Sequence, residues 1–313
     1  MPVSAASADV ARDRSFASVA TALAANTTIA VAKGTAAALT GSPALLAETL
    51  HTVADAGNEV LLWVALRRSR RAPDATHPLG YGPERYYWAL LAAVGMFVVG
   101  GALSIWEGVH ALIDPPELET FWVGVAVLVI ALTLDSVSRT VAIRQLRAQA
   151  AERQVTVHEL LRESPDPTVV TIYLEDSIDV LGAALALVAL VLHRTMGSAV
   201  PDAIASIVIG LLLGYVALRL TGRNRQLLSN QAVPERYVER LRERLVATPG
   251  IESIARLEAV YLGPGEVLVA ADVRMDPSLS ADELTAVLAR VRADAARDVP
   301  VIARLYLTPV PSG

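Results

Sequence analysis

The chain contains six long apolar stretches, and their length limits what it can fold into. A transmembrane helix needs about 20 consecutive apolar residues. The stretches lie at about 16–40, 43–66, 86–112, 121–142, 168–193 and 203–221. The chain of 313 residues is 53% hydrophobic and only 19% charged, which is too apolar for an ordinary soluble domain. The sequence therefore predicts an α-helical membrane protein with six transmembrane helices.

Arginine is unevenly distributed between the connecting segments. The segments after the second, fourth and sixth stretches are rich in arginine, whereas GSP, DPPELE and HRTMGSAVPD carry a single arginine between them. Because basic residues are enriched in cytoplasmic connections, the arginine-rich side is predicted to be cytoplasmic. Both termini then lie in the cytoplasm, with residues 1–15 as a short polar tail. We expect a multi-pass protein of the bacterial plasma membrane.

The hydrophobicity falls after about residue 230, which marks a domain boundary. Helices are predicted to begin at Pro234 and at a capping box of Ser280 and Glu283, and strands are predicted at 251–262, 267–275 and 301–307. This order predicts an α+β domain with an αββαβ, ferredoxin- or metallochaperone-like fold. The expected parts are a tail at 1–15, a six-helix transmembrane domain at 16–225 and a cytoplasmic dimerisation domain at 230–313.

Ionisable side chains lie inside two of the apolar stretches. His51 and Asp55 are one helical turn apart and therefore share a helix face. The fifth stretch carries Glu175, Asp176 and Asp179. Ionisable groups at membrane depth are costly and usually mark an ion pathway or a proton relay. The two clusters therefore indicate a metal or proton site.

A simpler explanation is that these acids pair with neighbouring basic residues. However, Lys33 is the single lysine of the chain, and the arginines lie mostly outside the apolar stretches. We expect Lys33 to pair with Glu107 or Asp135, or to extend to the membrane interface. Three other histidines are isolated in the sequence and are expected to be surface or interface residues: His110, His158 and His193.

The composition also excludes several classes of function. The chain has no cysteine, so any metal must be bound by histidine, carboxylate or backbone oxygen. No resident cofactor is expected. The sequence has no basic patch with interleaved aromatic residues, so nucleic acid is not expected as a partner. The H-E-x-x-H string of many zinc enzymes is absent, so we do not expect an enzyme.

Two segments carry a resemblance to a known family. TGSPALLAETLHTVADAGNEVLL (40–62) and HPLGYGPERYYWALLAAVGMFVVGGALSIWEG (77–108) resemble signatures of the cation diffusion facilitators, which transport divalent metals. The Glu-Asp pair in the fifth stretch is similar to one divergent branch of the zinc-transporter type. The resemblance implies export of zinc or a similar ion from the cytoplasm, driven by protons moving the other way, in a homodimer held partly by the C-terminal domains.

The family usually offers two metal ligands from the fifth span at i and i+4, and these positions match Ile172 and Asp176. Isoleucine cannot ligate a metal. Asp179 lies closer to Asp176 around the helix than Glu175 does, so Asp179 is the preferred fourth ligand, with Glu175 or water as alternatives. The resemblance thus implies a metal site of His51, Asp55, Asp176 and Asp179.

The ligand types limit the metal. One imidazole and two or three carboxylates favour zinc first, with Fe(II), Mn(II) or Co(II) as alternatives. Because these ligands must lose protons to bind metal, protons and metal compete for them. The missing ligand at position 172 leaves a second function open, namely a transport-inactive metal-binding receptor or scaffold on the same fold.

A second pair of candidate ligands lies in the loop after the second stretch. Asp74 and His77 match positions that in some relatives contribute to a cytoplasmic metal site. Tyr81 stands where a further histidine would be needed, so a turn or interface role is favoured. The C-terminal domain contains no histidine or cysteine from residue 230 onward, so dimerisation is expected there rather than metal sensing.

Overall fold

The computed structural model describes residues 23–24, 26–152, 154–163, 167–298 and 301–311. The side chains of residues 152, 162–172, 296 and 298 lie outside this description, as does the tail predicted at 1–15. The chain forms two compact units. The first unit comprises the chain up to Arg67 together with Tyr87–Asn224, and the second comprises Arg68–Tyr86 together with the chain from Arg225 onward.

Long helices occupy all six positions at which apolar stretches predicted them. They are α1 (residues 26–40), α2 (Pro43–Ser69), α3 (Glu84–Ile113), α4 (Phe121–Glu152), α6 (Pro167–Met196) and α7 (Val200–Leu228). The sequence did not predict a further short helix, α5 (Val157–Glu163). It begins at a capping box in which the Glu159 N–H donates to Thr156 Oγ1 and the Thr156 N–H donates to Glu159 Oε2.

Four of the described helices are long and apolar enough to cross a membrane, namely α3, α4, α6 and α7. The described part of α1 is shorter, and the apolar part of α2 is interrupted by Glu48, Asp55 and Glu59. Large apolar side chains are exposed on the outside of the helical unit, among them Leu211 and Leu218. The chain is therefore an integral membrane protein, and the number of six spans stays a prediction.

Small residues allow α3 and α7 to pack closely. A Cβ on Gly108 would lie 2.7 Å from the Ala203 carbonyl oxygen, and a Cβ on Gly210 would lie 2.7 Å from the Gly101 carbonyl oxygen. Both distances are too short for a real contact, so glycine is needed at both positions. Residues Met96–Ala102 of α3 form a π-helical segment.

Part of the interior of the helical unit is a continuous apolar core. Leu45 of α2, Leu128 of α4, Leu190 of α6 and Leu213 of α7 are all fully buried. They belong to one continuous apolar cluster. This cluster fixes α2 against α6, the two helices that carry the predicted metal ligands.

The second unit has the predicted αββαβ order. Its elements are α8 (Glu235–Val246), β1 (Ile251–Gly263), β2 (Glu266–Met275), α9 (Ala281–Asp298) and β3 (Ile302–Val310). The sheet has the order β1-β2-β3, with β1 antiparallel and β3 parallel to β2. The predicted fold is thus confirmed.

The central strand β2 shows why the helices cover one face of the sheet. Its residues at alternate positions are buried: Val267, Val269, Ala271, Val273 and Met275. Several of them pack with Leu245 of α8 and Val291 of α9 in one apolar cluster. The residues of opposite alternation on β2 are only partly buried, so the other face of the sheet is open within one chain.

The segment Arg68–Tyr86 belongs to the second unit, although the sequence assigned it to the transmembrane domain. Tyr86 is fully buried in an apolar cluster with Tyr261 and Val269 of the sheet. Gly82 lies directly against the Leu262 carbonyl oxygen, where a Cβ would collide. The segment is thus part of the sheet domain, because its tyrosine and glycine pack on β1 and β2.

Candidate metal centre

A stripe of polar residues runs along the buried face of α2. Glu48, His51, Thr52, Asp55 and Asn58 are all buried. Relative to Glu48 they lie at positions i+3, i+4, i+7 and i+10, which places them on one side of the helix. Of these residues, only His51 and Asp55 were predicted from the sequence to belong to a site. The recurrence of polar residues at this spacing in an apolar stretch was the signal that could have revealed the stripe.

Three predicted ligands come together at the middle of this stripe. His51 Nε2 lies 3.5 Å from Asp55 Oδ2 and 3.4 Å from Asp179 Oδ1. One ligand atom from each residue lies within 4.8 Å of the other two. In a tetrahedral zinc site with bonds of about 2.0–2.2 Å, neighbouring ligand atoms are roughly 3.3–3.6 Å apart. The two distances from His51 therefore suit one small divalent cation held between α2 and α6.

The ligand atoms have little other use. Both nitrogens of His51 and Oδ1 of Asp55 are buried without a hydrogen-bond partner among the described residues. Buried polar atoms almost always have a partner, and exceptions need an explanation. A cation in transit, or protons in its place, would supply the missing partner. The set is therefore a candidate binding site for a metal that the protein carries.

The other two acids of α6 lie beside the cluster and have partners of their own. Ser138 Oγ of α4 donates to Asp176 Oδ1 at 3.1 Å. Asn58 Nδ2 of α2 donates to Glu175 Oε1 at 2.5 Å. The structure thus brings Asp179, but not Asp176, to His51 and Asp55. Asp176 as a ligand stays a prediction, and the side chain of Ile172 lies outside the described residues.

Lys33 does not have the partner expected from the sequence. Its ammonium donates to Glu48 Oε2 and to Thr52 Oγ1, each at 3.0 Å. The expectation of an ion pair with Glu107 or Asp135 was therefore wrong. The reason is that α1 lies against α2, whose acid one turn before His51 is nearer than the acids of α3 and α4.

The loop pair Asp74 and His77 forms a turn. Asp74 Oδ1 accepts hydrogen bonds from the Thr76 N–H at 2.9 Å and the His77 N–H at 2.8 Å. Asp74 Oδ2 accepts from the Tyr81 hydroxyl at 2.7 Å. These bonds, the one from Tyr81 first, hold the pKa of Asp74 well below its usual range. The favoured turn role fits this geometry, because the carboxylate is already occupied by donors.

His193, expected to be a surface or interface residue, is buried. Its Nδ1 lies 3.3 Å from Asp202 Oδ2. Asp202 Oδ1 accepts from the Ser42 hydroxyl at 3.0 Å and from the Ala44 N–H at 3.3 Å, so the carboxylate caps the first turn of α2. The signal was Asp202 itself, an acid at the start of an apolar stretch.

The remaining histidines have surface positions, as expected. The ring of His110 stacks on that of Trp106, with centroids 5.5 Å apart. His158 is exposed on α5. Neither is part of a metal-binding group within the described ranges.

Comparison with known proteins places the helical unit in a family. The cation efflux transmembrane domain matches residues 19–229. The chain is 35% identical over 235 residues to Metal tolerance protein C4 of Arabidopsis thaliana, covering 74% of this chain and 51% of that protein. It is 32% identical over 237 residues to the human mitochondrial proton-coupled zinc antiporter SLC30A9, covering 76% of this chain and 42% of that protein.

A further relative matches over most of both chains. The chain is 24% identical over 283 residues to the magnetosome protein MamB of Paramagnetospirillum magneticum, covering 90% of this chain and 89% of that protein. By contrast, the chain spans about half the length of the plant and human relatives.

Proposed function

This chain belongs to the cation diffusion facilitator family of cation efflux proteins, and we propose that it exports a divalent metal ion, most readily zinc, from the cytoplasm in exchange for protons. Members of such a family are transporters rather than enzymes. The observation that carries the proposal is the group of His51, Asp55 and Asp179, in which His51 Nε2 lies 3.5 Å from Asp55 Oδ2 and 3.4 Å from Asp179 Oδ1. These two distances suit ligands of one tetrahedral zinc ion.

Exchange with protons follows from the chemistry of this group. Imidazole and carboxylate bind metal only after losing their protons, so a proton and a metal ion exclude each other at the same atoms. On a neutral side of the membrane the ion displaces protons, and on an acidic side protons displace the ion. A site that faces the two sides alternately then converts a proton gradient into metal export.

The donor set supports zinc over harder cations. One nitrogen and two carboxylate oxygens suit a borderline ion in tetrahedral geometry. The names of the relatives, a metal tolerance protein and a zinc antiporter, agree with this choice. Fe(II), Mn(II) and Co(II) accept the same ligands and remain alternatives for the transported ion.

We further propose that the protein is a homodimer in a bacterial plasma membrane, with both termini in the cytoplasm. Dimerisation would use the face of the sheet that the helices leave open. Leu268 and Ala270 are partly buried on this face, and Tyr306 on β3 is 50% exposed beside Ala270. Apolar residues on an open sheet face are suited to contact with a second copy of the chain.

Flux through proteoliposomes tests the proposed function. Purified protein is reconstituted, zinc is loaded on the side that bears the C-terminal domain, and the opposite side is made acidic. We expect zinc flux to rise with the pH gradient and protons to move in the opposite direction. His51→Ala should abolish both fluxes.

The same assay separates the alternative functions. Zinc flux that is indifferent to the pH gradient, without proton movement, would favour a uniporter. Zinc binding without any flux under a gradient would favour the receptor or scaffold. Replacing zinc by Fe(II), Mn(II), Co(II) and Cd(II) in turn would identify the transported ion.

A further inference from the structure

The ion pair between Lys33 and Glu48 is the most deeply buried charge pair of the described residues. Lys33 is 1% exposed and Glu48 is 0% exposed. Burying two charges costs more free energy than their attraction usually returns, so such a pair seldom serves stability alone. Its position next to a metal site suggests a role in transport.

Only one of the two carboxylate oxygens of Glu48 accepts a hydrogen bond from Lys33. Its Oε2 accepts from the ammonium at 3.0 Å, whereas Oε1 is buried without a hydrogen-bond partner in the described part of the chain. Oε1 lies directly against Gly182 of α6, where a Cβ would collide with it. Gly182 is three residues after Asp179 and shares its helix face. The free oxygen thus points at the helix that completes the metal site.

The pair also lies on one side of that site. Glu48 precedes His51 by three residues on α2, about 4.5 Å along the helix axis. It therefore lies between the metal ligands and the end of the unit where α2 begins. That end carries another buried polar group, Asp202 with Ser42 and His193. Polar groups thus continue beyond the metal site toward this end, with the ion pair in between.

We propose that Lys33 and Glu48 form a charge plug, which closes the route from the metal site to the end of the unit where α2 begins. The proposal rests on the proposed function, since it concerns the ion carried by His51, Asp55 and Asp179. The Lys33 ammonium is bound to the Glu48 carboxylate, which is the first carboxylate that an ion leaving the metal site toward this end would meet. Its positive charge also repels a divalent ion, so the ion passes only when the pair separates.

The charges around the plug are unequal in sign. Glu48 contacts Lys33 directly. The negative charges of Asp135 on α4 and Asp179 on α6 also attract the Lys33 ammonium. Lys33 is the single basic side chain of the group, so it is the part that opposes a cation. Thr52 holds the ammonium in place through its hydroxyl.

The test uses a double variant that removes both charges together, Lys33→Gln with Glu48→Gln, so that no unpaired charge is left buried. Zinc flux is measured in proteoliposomes down a zinc gradient and without a pH gradient. We expect this uncoupled flux to rise about tenfold over that of the original protein. Zinc affinity, measured by calorimetry, should change by less than about threefold, because the net charge near the ligands is unchanged.

The single variants give a second readout that a purely structural role would not produce. Lys33→Gln leaves a carboxylate facing the site and should tighten zinc binding at pH 8 by about tenfold, whereas Glu48→Gln leaves an ammonium and should weaken it by about tenfold. If the two residues served packing alone, both variants would change the zinc affinity in the same direction. Lys33→Arg keeps the charge and should keep the uncoupled flux low.

Gly182→Ala provides a variant that alters neither charge. The added methyl group displaces the Glu48 carboxylate and should also raise the uncoupled flux. If Gly182→Ala and the double variant both keep a low uncoupled flux while binding zinc normally, the plug is refuted and the proposed function stands. If the original protein and His51→Ala bind zinc equally, the proposed function itself fails.

Discussion

Two pairs of aspartate and histidine were considered as candidate metal ligands in the sequence, and the structure gives them different surroundings. His51 and Asp55 lie one turn apart on α2, and Asp74 and His77 lie three residues apart in the segment that joins the sheet domain. In the first pair both imidazole nitrogens are buried without a partner within the described ranges. In the second pair the carboxylate accepts bonds from backbone and side-chain donors, and both side chains are about half exposed.

This difference shows what separates a binding site from a turn. A carboxylate that already accepts several hydrogen bonds must lose them before it can bind an ion, so the ion gains little. A buried carboxylate beside a free imidazole gains a partner when the ion arrives. Unused ligand atoms, rather than the presence of aspartate and histidine, therefore identify the site.

The largest expected effect is on the first pair. His51→Ala and Asp55→Ala should each weaken zinc binding by at least about 100-fold, because each removes a direct ligand. The fold should survive, since the ligand atoms make no other hydrogen bonds among the described residues. Calorimetry and circular dichroism on the purified full-length protein measure the two quantities.

The matched control is the second pair. Asp74→Asn and His77→Ala should leave zinc affinity within about twofold of the original. If the loop variants lose zinc binding as strongly as the α2 variants, the distinction between a binding site and a turn is contradicted. In that case the turn would have to open and bind metal, and the count of free ligand atoms would be a poor guide.

Much of the architecture could be predicted from the sequence, because it depends on local patterns. The length of each apolar stretch predicted the positions of the long helices. The alternation from Val267 to Met275 predicted both β2 and its buried face. The pairing of His51 with Asp55 on one helix face depends only on helical periodicity, so it was predictable as well.

The remaining features of the site depend on which helices are neighbours. The periodicity of a sequence does not predict helix neighbours. The partner of Lys33 is Glu48 because α1 lies against α2. Asp179 rather than Asp176 faces His51 because of the rotation of α6 about its axis, which is fixed by packing. The segment Arg68–Tyr86 joined the sheet domain because Tyr86 is buried there.

The second prediction concerns that rotation of α6. The sequence favoured Asp176 first and Asp179 as its helper, whereas the structure brings Asp179 to His51. Asp179→Asn should weaken zinc binding by about 10- to 100-fold, whereas Asp176→Asn should weaken it by less than about fivefold. Asp176 is bound to Ser138 instead of lying at His51, so its loss should affect the contact between α4 and α6.

Glu175→Gln serves as the matched control on the same helix. Glu175 accepts from Asn58 one turn away from the site, so the amide should bind zinc nearly as well as the acid. Calorimetry on the three variants gives the order. If Asp176→Asn is the most damaging of the three, α6 is rotated relative to the arrangement described, and Asp176 is the ligand.

The smallest expected effect concerns the turn around Asp74. Its hydrogen bonds hold the pKa of the carboxyl well below its usual range, and the bond from the Tyr81 hydroxyl contributes most. A group with a lowered pKa in the folded state stabilises that state above its ordinary pKa of about 4, and the stabilisation is lost as the pH falls through the lowered value. The hydrogen bonds of the turn should therefore persist to a lower pH than they would if Asp74 had an ordinary pKa. Tyr81→Phe removes the bond that lowers this pKa most, so it should raise the pKa of Asp74 and shift the loss to higher pH. Hydrogen exchange at the Thr76 and His77 amides, which donate to Asp74, measures this shift. Identical pH dependence of exchange in Tyr81→Phe and the original protein would mean that the tyrosine does not hold the carboxylate, and zinc transport should be unchanged in either case.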